Sequence, residues 1–247
     1  MIKIIFTIFL FSNISASMIT VAIASNILYA MPELKKEFNK EYPDIHIREI
    51  VSGSGKLTAQ IKHNAPFDIF MSANIKFPQN LYENGFCINK PKVYAKGKLA
   101  LLSYKEYDFR NIKKLLLSSK IKRIAIANPK LAPYGKAGIE VLKSMKIMKK
   151  VKSKIIYAQS ISQTLLYTLN ASDIGIVALS SMKSEKLKKY KEHKNYINIS
   201  TKLYTPISQG IVILKRAENN KSAKLFYEFI LSTKAKTIFK NYGYEVL

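Results

Sequence analysis

A chain of 247 residues that is 48% hydrophobic can bury a sizeable core, in one large domain or two small lobes. Its 9 glycines and 8 prolines exclude a disordered or low-complexity chain. The formal charge of +25 invites a nucleic-acid reading, but the lysines are spread along the chain, arginine is scarce and no stacking motif recurs, so nucleic acid is not expected as a partner.

The first residues read as a secretory signal. Lys3 supplies a short positive region, Ile4 to Phe11 is an apolar run too short for a mature membrane span, and Ile14-Ser15-Ala16-Ser17 offers small-residue cleavage sites. Residues 1–17 are therefore expected to direct export to a periplasmic or other extracytoplasmic space. No cysteine sits near the cleavage point, which argues against a lipid-anchored form. The one cysteine, Cys87, allows no intramolecular disulfide and has no evident base beside it, so it is read as a packing residue.

Short apolar runs then alternate with helical patterns. Ile19–Ile23 reads as a buried strand, followed by Ile27, Leu28, Met31, Leu34 and Phe38 at helical spacing. Ile45–Val51 is strand-like, Leu57 and Ile61 mark a helix, and Asp68–Met71 is a third short strand. This β-α-β-α-β order implies a parallel sheet with right-handed crossovers. Gly97 precedes a further strand at Leu99–Leu102, and Ile124–Ala127, Ile155–Ala158 and Ile174–Val177 continue a second α/β set of similar size. Lys183–Lys194 is dense in charge and reads as an exposed helix and loop. Gly210–Leu214 is a late strand, and Lys221–Lys240 reads as one closing helix. Two α/β sets without a flexible linker suggest two lobes joined by strands, with lobe I formed by 18–96 plus 210–247 and lobe II by 97–209.

The informative residues lie at strand-to-helix turns. Ligands of open α/β sheets bind outside the carboxyl ends of the strands, where free N–H groups of helix N-termini carry partial positive charge. Four such turns carry small or hydroxyl residues: Ala24-Ser25-Asn26, Ser52-Gly53-Ser54-Gly55, Asn128-Pro129 through Gly135, and Ser160-Ile161-Ser162-Gln163. The last is a Ser-x-x-Gln capping box, and the glycines of the second permit close backbone approach or positive φ. Each turn alone is an ordinary cap. Together they would form a cage of donors without fixed charge, suited to a fully deprotonated dianion, with each hydrogen bond to charge contributing about 1.5–3 kcal/mol. A protonated anion such as phosphate would want an acceptor as well.

These residues resemble those of the periplasmic molybdate-binding proteins of ABC transporters, over about Ile19 to Leu247. The resemblance is carried by Ser52-Gly-Ser-Gly-Lys-Leu-Thr-Ala-Gln-Ile61, Asn64-Ala-Pro-Phe-Asp-Ile-Phe-Met-Ser-Ala73, Ala132-Pro-Tyr-Gly135, Asp173-Ile-Gly-Ile-Val-Ala-Leu-Ser180 and Ile238-Phe-Lys-Asn-Tyr-Gly-Tyr244. It implies a type II periplasmic binding fold of two lobes, each a mostly parallel sheet flanked by helices, closing on molybdate or tungstate. It implies that Ser25 and Ser54 donate through hydroxyl and backbone, that Tyr134 and Ile161 donate through backbone N–H, and that Asn26 is an extra donor. Some members offer a Tyr hydroxyl where this chain has Ala178, so one donor is missing here. The partner implied is an ABC permease, and the chain is expected to act as a monomer without a cofactor.

The remaining candidates point away from catalysis. Asp68 matches a strand-end Asp expected to accept N–H bonds rather than face a dianion. His46, His63 and His193 lack metal-ligand spacing and are expected at the surface. The chain lacks a Ser-His-Asp ordering, paired carboxylates and a phosphate loop, so an enzyme is not expected. The rival ligand within the class is sulfate or another tetrahedral oxyanion.

Overall fold

The computed structural model describes residues 17–246. Of the expected signal segment only Ser17 falls within the described residues. Among them no helix is long and apolar enough to cross a membrane.

Two five-stranded sheets organise the chain. The first has the order β2-β1-β3-β10-β4, with β1 at Ser17–Ala24, β2 at Ile45–Ser52, β3 at Ile69–Ser72, β4 at Lys92–Gly97 and β10 at Ile207–Ile213. The second has the order β7-β6-β8-β5-β9, with β5 at Leu99–Leu102, β6 at Ile124–Ala127, β7 at Ile155–Ala158, β8 at Ile174–Ala178 and β9 at Tyr196–Asn198. In each sheet the three strands at one end are parallel, while β10 and β5 run antiparallel to both of their neighbours. Each sheet is thus mostly parallel, four strands running one way and a single strand the other, for a physical reason. The chain leaves the first sheet at Gly97 and starts β5 at Leu99, and it returns to start β10 at Ile207 opposite Gly97, so that residues 207–209, expected in lobe II, belong to the first sheet. Each returning strand enters its sheet from the end that faces the other lobe, and so must run against the parallel strands.

The sequence explains the strand interiors. Ile19, Val21, Ile23, Ile69, Met71, Ile124, Ile126, Ile174 and Ile176 are buried, as β-branched and apolar residues are in sheets covered on both faces. The α-helices ahead of the tail are α1 (Met31–Asn39), α2 (Ser54–Lys62), α3 (Lys76–Glu83), α4 (Ile112–Leu117), α5 (Pro133–Ser144), α6 (Met148–Val151) and α7 (Ile161–Asn170). The tail is two helices, not one. α8 (Lys221–Leu231) stops at Ser232, whose extended backbone (φ −74, ψ 162) and hydroxyl cap α9 (Thr233–Asn241) by accepting from Ala235 N–H at 3.3 Å. Phe226 and Phe229 of α8 pack on Phe38 of α1 at ring distances of 5.1 and 5.4 Å, closing the outer face of the first sheet. Lys183–Lys194 begins at the end of one 3₁₀ turn, contains a second at Glu185–Leu187 and continues as a loop, largely exposed apart from Leu187.

Candidate functional site

The four turns meet. All four lie at the carboxyl ends of β1, β2, β6 and β7, and the structure joins them by contacts that cross between lobes. Ser162 N–H points at Ser25 Oγ across a long 3.4 Å contact. Gly55 N–H donates to Leu131 C=O at 3.0 Å. A Cβ added at Gly55 would lie 3.1 Å from that carbonyl oxygen and 3.3 Å from Leu131 Cα. The glycine therefore serves close backbone approach, here to the opposite lobe. Positive φ is not its use, since among the described glycines only Gly85 and Gly243 adopt it.

Three helices aim their N-termini at this junction. Ser54 is the first residue of α2, Pro133 and Tyr134 open α5, and Ile161 opens α7. Among the described residues no protein acceptor takes the N–H of Asn26, Ser54, Tyr134 or Ile161. First-turn N–H groups have no partner inside their own helix, so these point free donors and the positive helix ends at one place. Ser160 caps α7 by accepting from Gln163 N–H at 3.2 Å. The Gln163 carboxamide reaches back one residue further than an ordinary capping box, accepting from Gln159 N–H at 2.7 Å.

The hydroxyls of both serines are buried with them, Ser25 at 2% and Ser54 at 1% exposure. Ser54 Oγ accepts from Ala73 N–H at 3.0 Å, which fixes the oxygen and leaves its proton to donate elsewhere. Ser25 differs from expectation. Its N–H continues the β1–β2 ladder by one step, donating to Ser52 C=O at 3.0 Å, so only its hydroxyl is free to donate. Asn26 also departs from a simple side-chain donor. Its Nδ2 is committed to Gln209 Oε1 at 2.7 Å and Tyr244 Oη at 3.0 Å, leaving its backbone N–H as the free group. Ala178 ends β8 and contributes no side-chain donor; the nearby Ser180 hydroxyl donates instead to Asn26 C=O at 3.0 Å.

The carboxylate, imidazoles and thiol singled out in the sequence stand elsewhere. Asp68 lies just ahead of β3, at the opposite end of the strands. It accepts from Thr20 N–H at 2.7 Å and approaches Arg216 at 3.5 Å, the expected structural role. His46, His63 and His193 are exposed. Cys87 is buried, and burial pushes its thiol up to about 12, the behaviour of an inert packing residue. Beyond the turns, sequence reasoning missed Tyr94, Ser180, Gln209 and Tyr244, which pack directly behind Asn26 and Tyr134. Of these only Ser180 and Tyr244 fell within recognisable motifs, each as its last residue.

Two α/β lobes linked by two chain crossings, with neutral donors of both lobes converging on a shared junction, define a two-lobed receptor for a small solute. The chain belongs to the bacterial extracellular solute-binding protein family, which matches residues 19–245. It is 31% identical over 235 residues to the molybdate-binding protein ModA of Azotobacter vinelandii, covering 93% of this chain and 90% of that one. It is 32% identical over 193 residues to the molybdate-binding protein ModA of Rhodobacter capsulatus, covering 77% and 74%. The solved structure of the Azotobacter vinelandii periplasmic molybdate-binding protein superposes with a TM-score of 0.85 at 32% identity, over 93% of this chain and 99% of that one.

Proposed function

We propose that this chain captures molybdate outside the cytoplasm and delivers it to the permease of an ABC importer, acting as a monomer. The observation that carries the reading is the junction itself. It offers N–H groups from Asn26, Ser54, Tyr134 and Ile161 and hydroxyls from Ser25 and Ser54, with no carboxylate among them. A dianion accepts at every oxygen and donates nowhere, so an all-donor, water-poor cage suits it. Monohydrogen phosphate would leave its O–H unsatisfied there, at roughly 1–3 kcal/mol. The similarity to molybdate-binding proteins over nearly the whole chain supports molybdate over other dianions. Tungstate, of the same charge and shape, is expected to share the cage. The free backbone N–H of Asn26 stands in for part of what Ala178 does not supply.

A melting-temperature screen against molybdate, tungstate, sulfate and phosphate tests this. A ligand that binds only the folded state at about 100 times its Kd raises stability by about 2.7 kcal/mol. Molybdate and tungstate should each raise the melting temperature, and phosphate should not. Equal shifts with phosphate would discard the all-donor argument, and a shift with sulfate alone would reassign the ligand.

A further inference from the structure

Behind the four turns lies a buried polar cluster that the proposed cage does not itself use. Gln209 of β10 is fully buried at its centre. Its Oε1 accepts from Asn26 Nδ2 at 2.7 Å and from Tyr94 Oη at 2.9 Å, and its Nε2 donates to Tyr134 Oη at 3.4 Å. Tyr244 Oη donates to Asn26 C=O at 2.8 Å. Asn26 Oδ1 is buried and has no partner among the described residues, so the Asn26 carboxamide is oriented through Nδ2 alone, by Gln209 and Tyr244.

The cluster joins the two lobes. Asn26, Tyr94, Gln209 and Tyr244 belong with the first sheet, whereas Tyr134 opens α5 beside the second. The Tyr134 ring reaches across to the crossing between β4 and β5, where a Cβ on Gly97 would fall 2.0 Å from Tyr134 Oη. The side chain of Tyr134 is thus lodged against the hinge, while its backbone N–H faces the junction. One carboxamide therefore contacts the side chains of two residues whose N–H groups come from different lobes.

We infer that Gln209 is a positioning residue for oxyanion binding, holding Asn26 of one lobe and Tyr134 of the other in register so that their N–H groups converge when the lobes close. The inference rests on the cage reading above. In a low-dielectric interior a satisfied hydrogen-bond network rigidifies its members, and removing the central member leaves buried groups unpaired. A residue that only filled space would be replaceable by an apolar side chain of similar volume with no change in affinity.

The test is a double-mutant cycle on molybdate affinity, measured by calorimetry with sodium molybdate on the wild-type chain, Gln209→Met, Tyr134→Phe and the double variant. Gln209→Met should weaken binding by roughly tenfold and Tyr134→Phe by roughly threefold, the scale of one lost buried hydrogen bond. The double variant should bind no more weakly than Gln209→Met, because both changes remove the same lobe-to-lobe contact. A structural defect alone would lower the melting temperature of the ligand-free protein and give losses that multiply. Affinity within twofold of wild type for Gln209→Met, or multiplied losses in the double variant, overturns the inference while leaving the cage reading standing. Tyr134→Phe removes a single oxygen and decides the matter if Gln209→Met does not fold, since unchanged affinity there overturns the inference equally. A wild-type chain that binds no molybdate overturns both readings together.

Discussion

The two lobes are built alike and armed differently. Sheet order matches strand for strand, β2-β1-β3-β10-β4 against β7-β6-β8-β5-β9. Asp68 before β3 and Asp173 before β8 play a similar part, Asp68 accepting from Thr20 N–H within β1 and Asp173 from Lys122 and Arg123 N–H just ahead of β6. At the other end the likeness stops. Lobe I brings the hydroxyls of Ser25 and Ser54 as well as N–H groups, whereas in lobe II the Ser160 and Ser162 hydroxyls pair with each other at 3.1 Å and the free N–H groups of Tyr134 and Ile161 stand at the starts of α5 and α7. A hydroxyl can be deleted by substitution. A backbone N–H survives every substitution but proline, and is otherwise altered only by shifting the helix that carries it. On the proposed cage reading, specificity would reside in side chains in lobe I and in the seating of helices in lobe II.

The sharpest way to break this contrast is Gly135→Ala. A Cβ at Gly135 would lie 2.1 Å from Ala127 carbonyl oxygen and 2.6 Å from its carbon, so α5 must lift off β6. We expect a stability loss of about 3 kcal/mol in urea denaturation, and molybdate affinity reduced more than by any single hydroxyl deletion. Wild-type affinity in Gly135→Ala would show that the seating of α5 does not set the lobe II donors. Next comes Ser54→Ala, which removes one charge-assisted donor from lobe I. Binding should weaken by more than about tenfold, with a modest fall in the melting temperature of the free protein because Ala73 N–H loses its acceptor, and calorimetry with no change in Kd would take Ser54 out of the cage. A smaller effect is expected from Gly55→Ala. The added methyl presses on Leu131 across the junction, so closure is hindered while every donor stays in place. Affinity should drop by roughly threefold to tenfold, mostly through faster dissociation in stopped-flow traces. A purely slower association would argue that Gly55 does not act in the closed state.

What the sequence disclosed follows from which signals are local. The strands at the centre of each sheet were legible because residues such as Ile124–Ala127 are apolar without interruption, and the turns because caps and glycines announce themselves within four residues. β4 and β9 went unread. Both are edge strands, and Lys92-Val-Tyr-Ala-Lys-Gly97 and Tyr196-Ile-Asn198 carry the short, polar character that edges require. The break at Ser232 was visible as a Ser-Thr pair but was overridden by the apolar stripe running through both helices. Gln209 could not have been picked out. Its role depends on meeting Asn26 across 183 positions of chain, and no periodicity or spacing encodes that contact. The Ser25 N–H was misassigned for a related reason, because whether a strand ladder runs one residue further is decided by its neighbour, Ser52.

The last and smallest effect concerns the phenols that tie the lobes together behind the turns, Tyr94 and Tyr244 from one side and Tyr134 from the other. Burial raises all three, Tyr244 to about 12 and the other two well above the ordinary value. A group whose folded pKa exceeds its unfolded value contributes stability that is complete below the unfolded pKa, about 10 for tyrosine, and is lost as pH climbs through the folded one. The cluster should therefore be indifferent to pH through neutrality and begin to fail above about pH 10. For Tyr244 the loss should reach roughly 1 kcal/mol by about pH 10.5. Melting curves of the wild-type chain and Tyr244→Phe, taken at about pH 8.5 and again at about pH 10.5, separate this share from that of the many lysines, which both proteins retain. The variant should lose less stability over the interval than the wild type. Parallel losses would mean that the Tyr244 hydroxyl is not held neutral by its surroundings, and that its bonds to Asn26 contribute less to joining the lobes than the geometry implies.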